Sequence, residues 1–197
     1  MVYLYATDVS SLSDPLECQK VMEELPIERQ KKILNAKKQQ NRLQSLGAGL
    51  LLNYVLHRYG ISVDTLRTDE HGKPTVEGIC FNLSHSGNCV ICAVSEKPVG
   101  CDIEQIKEAP KQMESRVFSP EEIRCLEQVS SEAYNREFFR LWTRKESYLK
   151  MKGIGIRVSL QTLEIRDCFF KEYEIPGYQV TVCAEECEFA EIIWKKI

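Results

Sequence analysis

No apolar run in this sequence approaches the roughly 20 residues that a membrane-spanning helix needs. The first residues, Met1-Val-Tyr-Leu-Tyr-Ala-Thr-Asp8, lack the basic and then sustained apolar segments of a secretory leader, and they read as a strand. These two absences lead us to expect a cytoplasmic protein with no membrane partner. Strong charge of either sign is also missing. Lys and Arg number 26 against 29 Asp and Glu, a net charge of −3. That excludes a general polyanion binder and argues against nucleic acid as the partner. Low-complexity linkers and short-period repeats are absent. At 197 residues and 43% hydrophobic, the chain has room for one large domain or two small ones sharing a core.

Nine cysteines are present, an odd number, which fits reduced thiols better than a disulfide framework. Cys89 and Cys92 have a spacing used by zinc and redox sites. They lie, however, in the apolar, β-like run Cys89-Val-Ile-Cys-Ala-Val-Ser, which sends the two thiols to opposite faces. Buried small hydrophobes are the plainer reading.

Helix and strand patterns recur twice along the chain. Ser13-Asp14-Pro15 reads as a helix start, and Pro26 opens a basic helical stretch with Arg29, Lys31, Lys32, Lys37, Lys38 and Arg42. Leu43, Leu46, Leu50 and Tyr54 repeat at helical spacing up to a stop at Gly60. Residues 69–74 read as a turn, residues 80–94 as a hairpin, and the strand after Lys97-Pro98 carries Asp102 and Glu104. Ser119-Pro120-Glu121-Glu122 has the pattern of a helix N-terminus. Residues 136–152 form a long helix stopped at Gly153, and strands follow at 163–166, 172–175, 178–183 and 191–194. The order predicts an α+β chain of two similar halves, 1–97 and 98–197. Each half packs helices on a small antiparallel sheet, and a pseudo-twofold axis relates the two across a cleft.

The chemistry concentrates in two segments. In Phe138-Phe-Arg-Leu-Trp-Thr-Arg-Lys-Glu146-Ser-Tyr-Leu-Lys150, helical spacing places Phe139, Trp142, Glu146 and Lys150 on one face. In Val99-Gly-Cys-Asp102-Ile-Glu104 the two acids share one face of a strand. Three carboxylates and an ammonium are hard donors suited to a divalent cation beside a phosphate. Without such a ligand, Glu146 and Lys150 are an ordinary helical ion pair and Asp102 and Glu104 a solvated strand end. Phe81-Asn-Leu-Ser84-His85-Ser86-Gly87 does not form a nucleophile and its base, because adjacent side chains on a strand diverge. Its hydroxyls, imidazole and turn amides suit phosphate oxygens better.

Gly72-Lys73-Pro74, Phe81-Asn-Leu-Ser84-His85-Ser86-Gly87, Val99-Gly-Cys-Asp102-Ile-Glu104 and Trp142-Thr-Arg-Lys145-Glu146-Ser-Tyr-Leu-Lys150, in that order, resemble the motifs of the 4′-phosphopantetheinyl transferase superfamily. The length and apparent duplication resemble its long, single-chain, surfactin-synthetase-activating class. Cys101 departs from the aliphatic residue usual at its position. The resemblance implies a monomeric pseudo-dimer that binds coenzyme A between its halves. A serine of an apo acyl or peptidyl carrier protein would attack the β-phosphorus and release 3′,5′-ADP. It implies Mg²⁺, or Mn²⁺, held by Asp102, Glu104 and Glu146. Lys150 would stabilise the pyrophosphate. Arg29, Lys32, Arg42, Lys73, Ser84, His85 and Lys145 would meet coenzyme A. The general base would be Glu146, with Glu122 as the alternative.

Overall fold

The computed structural model describes residues 1–69, 72–155 and 158–197. The expected turn at 69–74 therefore falls partly outside the described residues, at 70 and 71. In chain order the elements are β1 (Val2–Asp8), α1 (Pro15–Met22), α2 (Ile27–Leu34), α3 (Gln39–Arg58), β2 (Arg67–Thr68), β3 (Pro74–Thr75), β4 (Cys80–Ser86), β5 (Cys89–Ser95) and β6 (Val99–Gln105). Then come α4 (Glu114–Val117), α5 (Pro120–Gln128), α6 (Ser131–Lys152), β7 (Phe169–Ile175), β8 (Tyr178–Ala184) and β9 (Phe189–Trp194). The α+β class is as the sequence predicts.

Local chemistry sets the element ends. Asp14 caps α1 through its carboxylate, with Pro15 in the first turn. Ser119 and Glu122 form a capping box on α5. The long helix α6 begins five residues earlier than expected because the Ser130 hydroxyl caps it, accepting from the Ala133 amide. It stops at Gly153, which takes the left-handed conformation at φ 69°. Residues 163–166 form no strand. They lie outside the pairings that β7 makes with β8, and β-propensity without a partner does not hold a strand.

The four-stranded sheet has the order β4-β5-β1-β9, and the three-stranded sheet the order β6-β8-β7. Strand β9, from late in the chain, adds to the first sheet parallel to β1. Val2, Leu4, Ala6, Cys89, Ile91 and Ala93 of one sheet bury against Val99, Cys101, Ile103, Val180 and Val182 of the other. On the outer face of the four-stranded sheet, Tyr5, Val90, Cys92 and Val94 pack on α3. On the outer face of the three-stranded sheet, Cys183 packs on Tyr148 and Met151 of α6. The layers thus run α3, sheet, sheet, α6. All nine thiols are free, and Cys89, Cys92, Cys101 and Cys183 are buried.

Gly100 sets the distance between β6 and α6. A Cβ at this position would overlap the carbonyl oxygen of Ser147 and the amide nitrogen of Met151. Only glycine lets the helix backbone lie this close to the strand. That approach brings Glu146 and Lys150 over the face of β6 carrying Asp102 and Glu104.

Candidate active site

Strand β4 contributes to two adjoining cavities. Phe81, Leu83 and His85 face α2 and α3. Together with Arg29, Lys32 and Lys73 they line a cavity of about 320 Å³. Arg29 and Lys32 come from α2, so part of the basic helix closes over the hairpin. The Arg29 guanidinium donates to the Ser45 carbonyl at 3.1 Å, while its Nε is buried without a partner. Burial lowers its pKa. A desolvated guanidinium lining a cavity is a site for an anion. Lys73 reaches across to the α6 backbone, its ammonium 3.4 Å from the Lys150 carbonyl.

A second cavity, of about 290 Å³, adjoins the first through their shared residues Leu83 and His85. It is lined by Ser84, Asp102, Glu104, Trp142, Glu146 and Lys150. The two strand acids and the helix acid therefore share one cavity, and neither Asp102 nor Glu146 turns out to bulk solvent. Asp102 is 4% exposed. The Lys150 ammonium donates to Asp102 Oδ1 at 2.5 Å and to Ser84 Oγ at 3.0 Å. Desolvation works to lower its pKa, but Asp102, with Cys101 and Glu146, outweighs it and the net shift is upward. Burial, then repulsion from Asp102, raises the Glu146 carboxyl above the usual carboxylate range. Burial also raises Glu104, offset in part by the hydroxyl of Ser86. Partial loss of hydration, and then the charges of Lys150 and Arg29, lower the imidazole of His85, which stays exposed at the mouth of the cavities.

Among the described residues, no three His, Cys, Asp or Glu side chains are grouped as a ready metal site. The donor set nevertheless fits a hard cation. Asp102 Oδ2 and Glu146 Oε1 are buried carboxylate oxygens with no hydrogen-bond partner. Such oxygens are costly unless a cation or a donor satisfies them.

A larger cavity, of about 710 Å³, lies by α1, α3 and residues 195–197. Its Glu17, Lys20 and His57 are exposed. It lacks the desolvated charges of the pair above.

The family model of the 4′-phosphopantetheinyl transferase superfamily matches residues 98–187. The chain is 32% identical over 170 residues to the 4′-phosphopantetheinyl transferase Sfp of Bacillus subtilis (strain 168), covering 75% of this chain and 76% of that one. It is 34% identical over 165 residues to the 4′-phosphopantetheinyl transferase psf-1 of Bacillus pumilus, covering 72% and 71%. The chain belongs to the 4′-phosphopantetheinyl transferase superfamily. It is a transferase of the Sfp type. Among solved structures, the holo-acyl-carrier-protein synthase of Thermotoga maritima aligns at 16% identity and TM-score 0.38, over 46% of this chain and 64% of that one. That likeness is too partial to argue from.

Not every residue expected at the site of this transferase lies there. Lys145 is buried on another side of α6, donating to the Leu160 carbonyl at 2.7 Å and pairing with Glu122 at 2.8 Å. It lines neither cavity, because adjacent residues on a helix diverge by about 100°. Glu122 Oε2 also accepts from the Ser119 amide at 2.8 Å, and Glu122 lines neither cavity. Arg42 turns its Nε to the Ala36 carbonyl at 2.7 Å and lines neither cavity. Ser84 donates to Asp102 Oδ1 at 2.9 Å.

Sequence reasoning passed over Asn82 and Ser86. Asn82 Oδ1 accepts from the Cys101 amide at 3.0 Å, Ser84 Oγ from Ile103 at 3.4 Å, and Ser86 Oγ from Gln105 at 3.0 Å. Ser86 also donates to Glu104 Oε2 at 2.8 Å. The signal was available as a period-two run of small polar residues on a strand. The turn beyond it is clamped by Gln40 and Gln44, both donating to the Gly87 carbonyl, and by Tyr178, whose hydroxyl accepts from the Asn88 amide at 3.0 Å.

Proposed function

We propose that this transferase moves the 4′-phosphopantetheine arm of coenzyme A onto a serine of an apo acyl or peptidyl carrier protein, dependent on Mg²⁺ and releasing 3′,5′-ADP. One observation carries the reading. A cavity of basic and imidazole groups opens at His85 into a cavity of desolvated carboxylates with unpartnered oxygens. That sequence of charges matches a molecule with phosphates at one end and a pyrophosphate awaiting attack further in.

Arg29, Lys32, Lys73 and His85 hold the phosphates of coenzyme A. Asp102, Glu104 and Glu146 hold the divalent ion, for which Mn²⁺ can substitute. When bound, the ion supplies charge neutralisation at the pyrophosphate oxygens. Lys150 releases Asp102 and turns its ammonium to the pyrophosphate, where negative charge develops as the phosphoanhydride bond breaks. The incoming serine hydroxyl gives up its proton to Glu146, at the carboxylate oxygen that the ion would leave free. Glu122 lines neither cavity, so Glu146 is the base of choice. The nucleophile belongs to the carrier, so no serine of this chain needs activation.

The finer organisation belongs to the same reading. Residues 1–97 and 98–197 are two halves related by a pseudo-twofold axis, except that β9 crosses back to pair with β1 in the first sheet, and they work as a single chain in the cytoplasm. The carrier comes from nonribosomal peptide, polyketide or fatty-acid biosynthesis. The test is intact-mass spectrometry of a panel of apo carriers incubated with the protein, coenzyme A and Mg²⁺. A gain of one phosphopantetheine that requires the metal is expected. No gain on any carrier, with coenzyme A still bound, identifies instead a binding module that transfers nothing.

A further inference from the structure

Strands β4 and β6 stand at the facing edges of two different sheets. They run in the same direction at a constant offset of 19 residues, since 82 meets 101, 84 meets 103 and 86 meets 105. Side chains of β4 take the part that a neighbouring strand's carbonyls would play in a continuous sheet. Three alternate side chains satisfy three alternate amides of β6.

The two serines do more than satisfy amides. A hydroxyl has one proton and two lone pairs. Ser86 accepts from the Gln105 amide and sends its proton to Glu104. Ser84 accepts from the Ile103 amide and the Lys150 ammonium and sends its proton to Asp102. Each serine thus grips the carboxylate of one residue and the backbone of the next. The carboxylate torsion is fixed relative to its own strand. For Asp102 this commits Oδ1 and leaves Oδ2 as the free buried acceptor. In this arrangement the single proton of Ser84 goes to Asp102 and not to a phosphate.

We propose that Ser84 and Ser86 are positioning residues that aim Asp102 and Glu104 at the divalent ion of the transfer reaction, with Asn82 holding the register of the two strands. The inference rests on the metal reading above. Residues that orient a ligand's carboxylate typically change metal affinity by about 10–100-fold when removed.

The experiment measures Mn²⁺ binding by electron paramagnetic resonance with saturating coenzyme A and no carrier, so that no turnover occurs. Ser84→Ala and Ser86→Ala should each weaken Mn²⁺ by about 10–100-fold. Ser86→Thr, which keeps the hydroxyl, should recover most of the loss. In turnover assays raised metal should restore the rate of the alanine variants, while the KM for coenzyme A stays near that of the parent. If Ser86→Ala does not fold, Ser86→Cys keeps the volume with a weaker donor and should lie between serine and alanine. Parent-like Mn²⁺ affinity in folded Ser84→Ala and Ser86→Ala overturns the inference and leaves a structural zipper. Weaker coenzyme A binding by Ser84→Ala in the absence of metal, with Mn²⁺ affinity unchanged, returns Ser84 to phosphate recognition. A parent protein that binds no Mn²⁺ at all refutes the metal reading itself.

Discussion

Lys145 and Glu146 are neighbours on α6, yet they belong to two buried charge clusters of opposite character. Lys145 meets the Glu122 carboxylate and the Leu160 carbonyl, and Glu122 is further held by the Ser119 amide. That cluster is closed. Glu146 Oε1 and Asp102 Oδ2 are as deeply buried and meet no partner. That cluster is open. A polar network completed within the protein serves to hold elements together, whereas one left incomplete at a cavity has room for a ligand. One step around a helix is enough to pass from one to the other.

Glu146→Gln tests the open cluster most severely. Loss of the charge should slow carrier modification by at least about a thousandfold, roughly 4 kcal/mol of barrier, while the melting temperature stays close to that of the parent. A mass-spectrometric time course within tenfold of the parent would erase the distinction. Lys145→Met tests the closed cluster and should do the reverse. Urea unfolding should show a loss on the order of 3 kcal/mol, with the KM for coenzyme A unaltered where the protein is folded. A large rise in that KM at unchanged stability would move Lys145 back among the ligand contacts. Gly100→Ala presses on both clusters by pushing α6 away from β6. It should cost about 1–3 kcal/mol of stability and lower the transfer rate as well, so a variant that is merely destabilised would show that the site tolerates a displaced helix. His85→Ala, at the mouth shared by both cavities, should raise the KM for coenzyme A about tenfold, close to 1.4 kcal/mol, with little change in kcat.

The same histidine predicts the smallest effect, on pH. Folding lowers its pKa, so the folded state binds fewer protons than the unfolded chain. Its contribution to stability is fully present above an unfolded value of about 6.5, and is lost as pH falls through the lowered folded value. Phosphate oxygens favour the imidazolium, so coenzyme A affinity should strengthen as pH falls through this same range. Calorimetric titration across pH should show that slope in the parent and a flatter one in His85→Ala.

Periodicity and capping made most of the fold legible beforehand. Ser119-Pro120-Glu121-Glu122, the hairpin around Ser86-Gly87-Asn88 and the stop at Gly153 are local signals, and they hold in the structure. The stripe of Glu146 and Lys150 facing Asp102 was also readable, because helix and strand periods decide which way each side chain points. Three features were not. Lys145 carries the same charge as Lys150, and only the tertiary position of Glu122 and Leu160 shows that it is already engaged. Arg42 belongs to the same basic run as Arg29, but a carbonyl six residues back takes its guanidinium. The Asn82–Ser84–Ser86 run alternates visibly on its strand, but its partners lie 19 residues away across two sheets, and nothing local names them.

Strand β9 carries a consequence for how the molecule is made. The chain must be synthesised through residue 194 before β1, formed from residues 2–8, can gain its parallel neighbour. Until then that side of β1 is an unpaired edge, and pairing across so long a separation is intrinsically slow. Between completion of β5 at residue 95 and of β9 at residue 194 a nascent chain therefore carries a half-finished sheet, a window in which chaperones can bind and neighbouring chains can add a strand of their own.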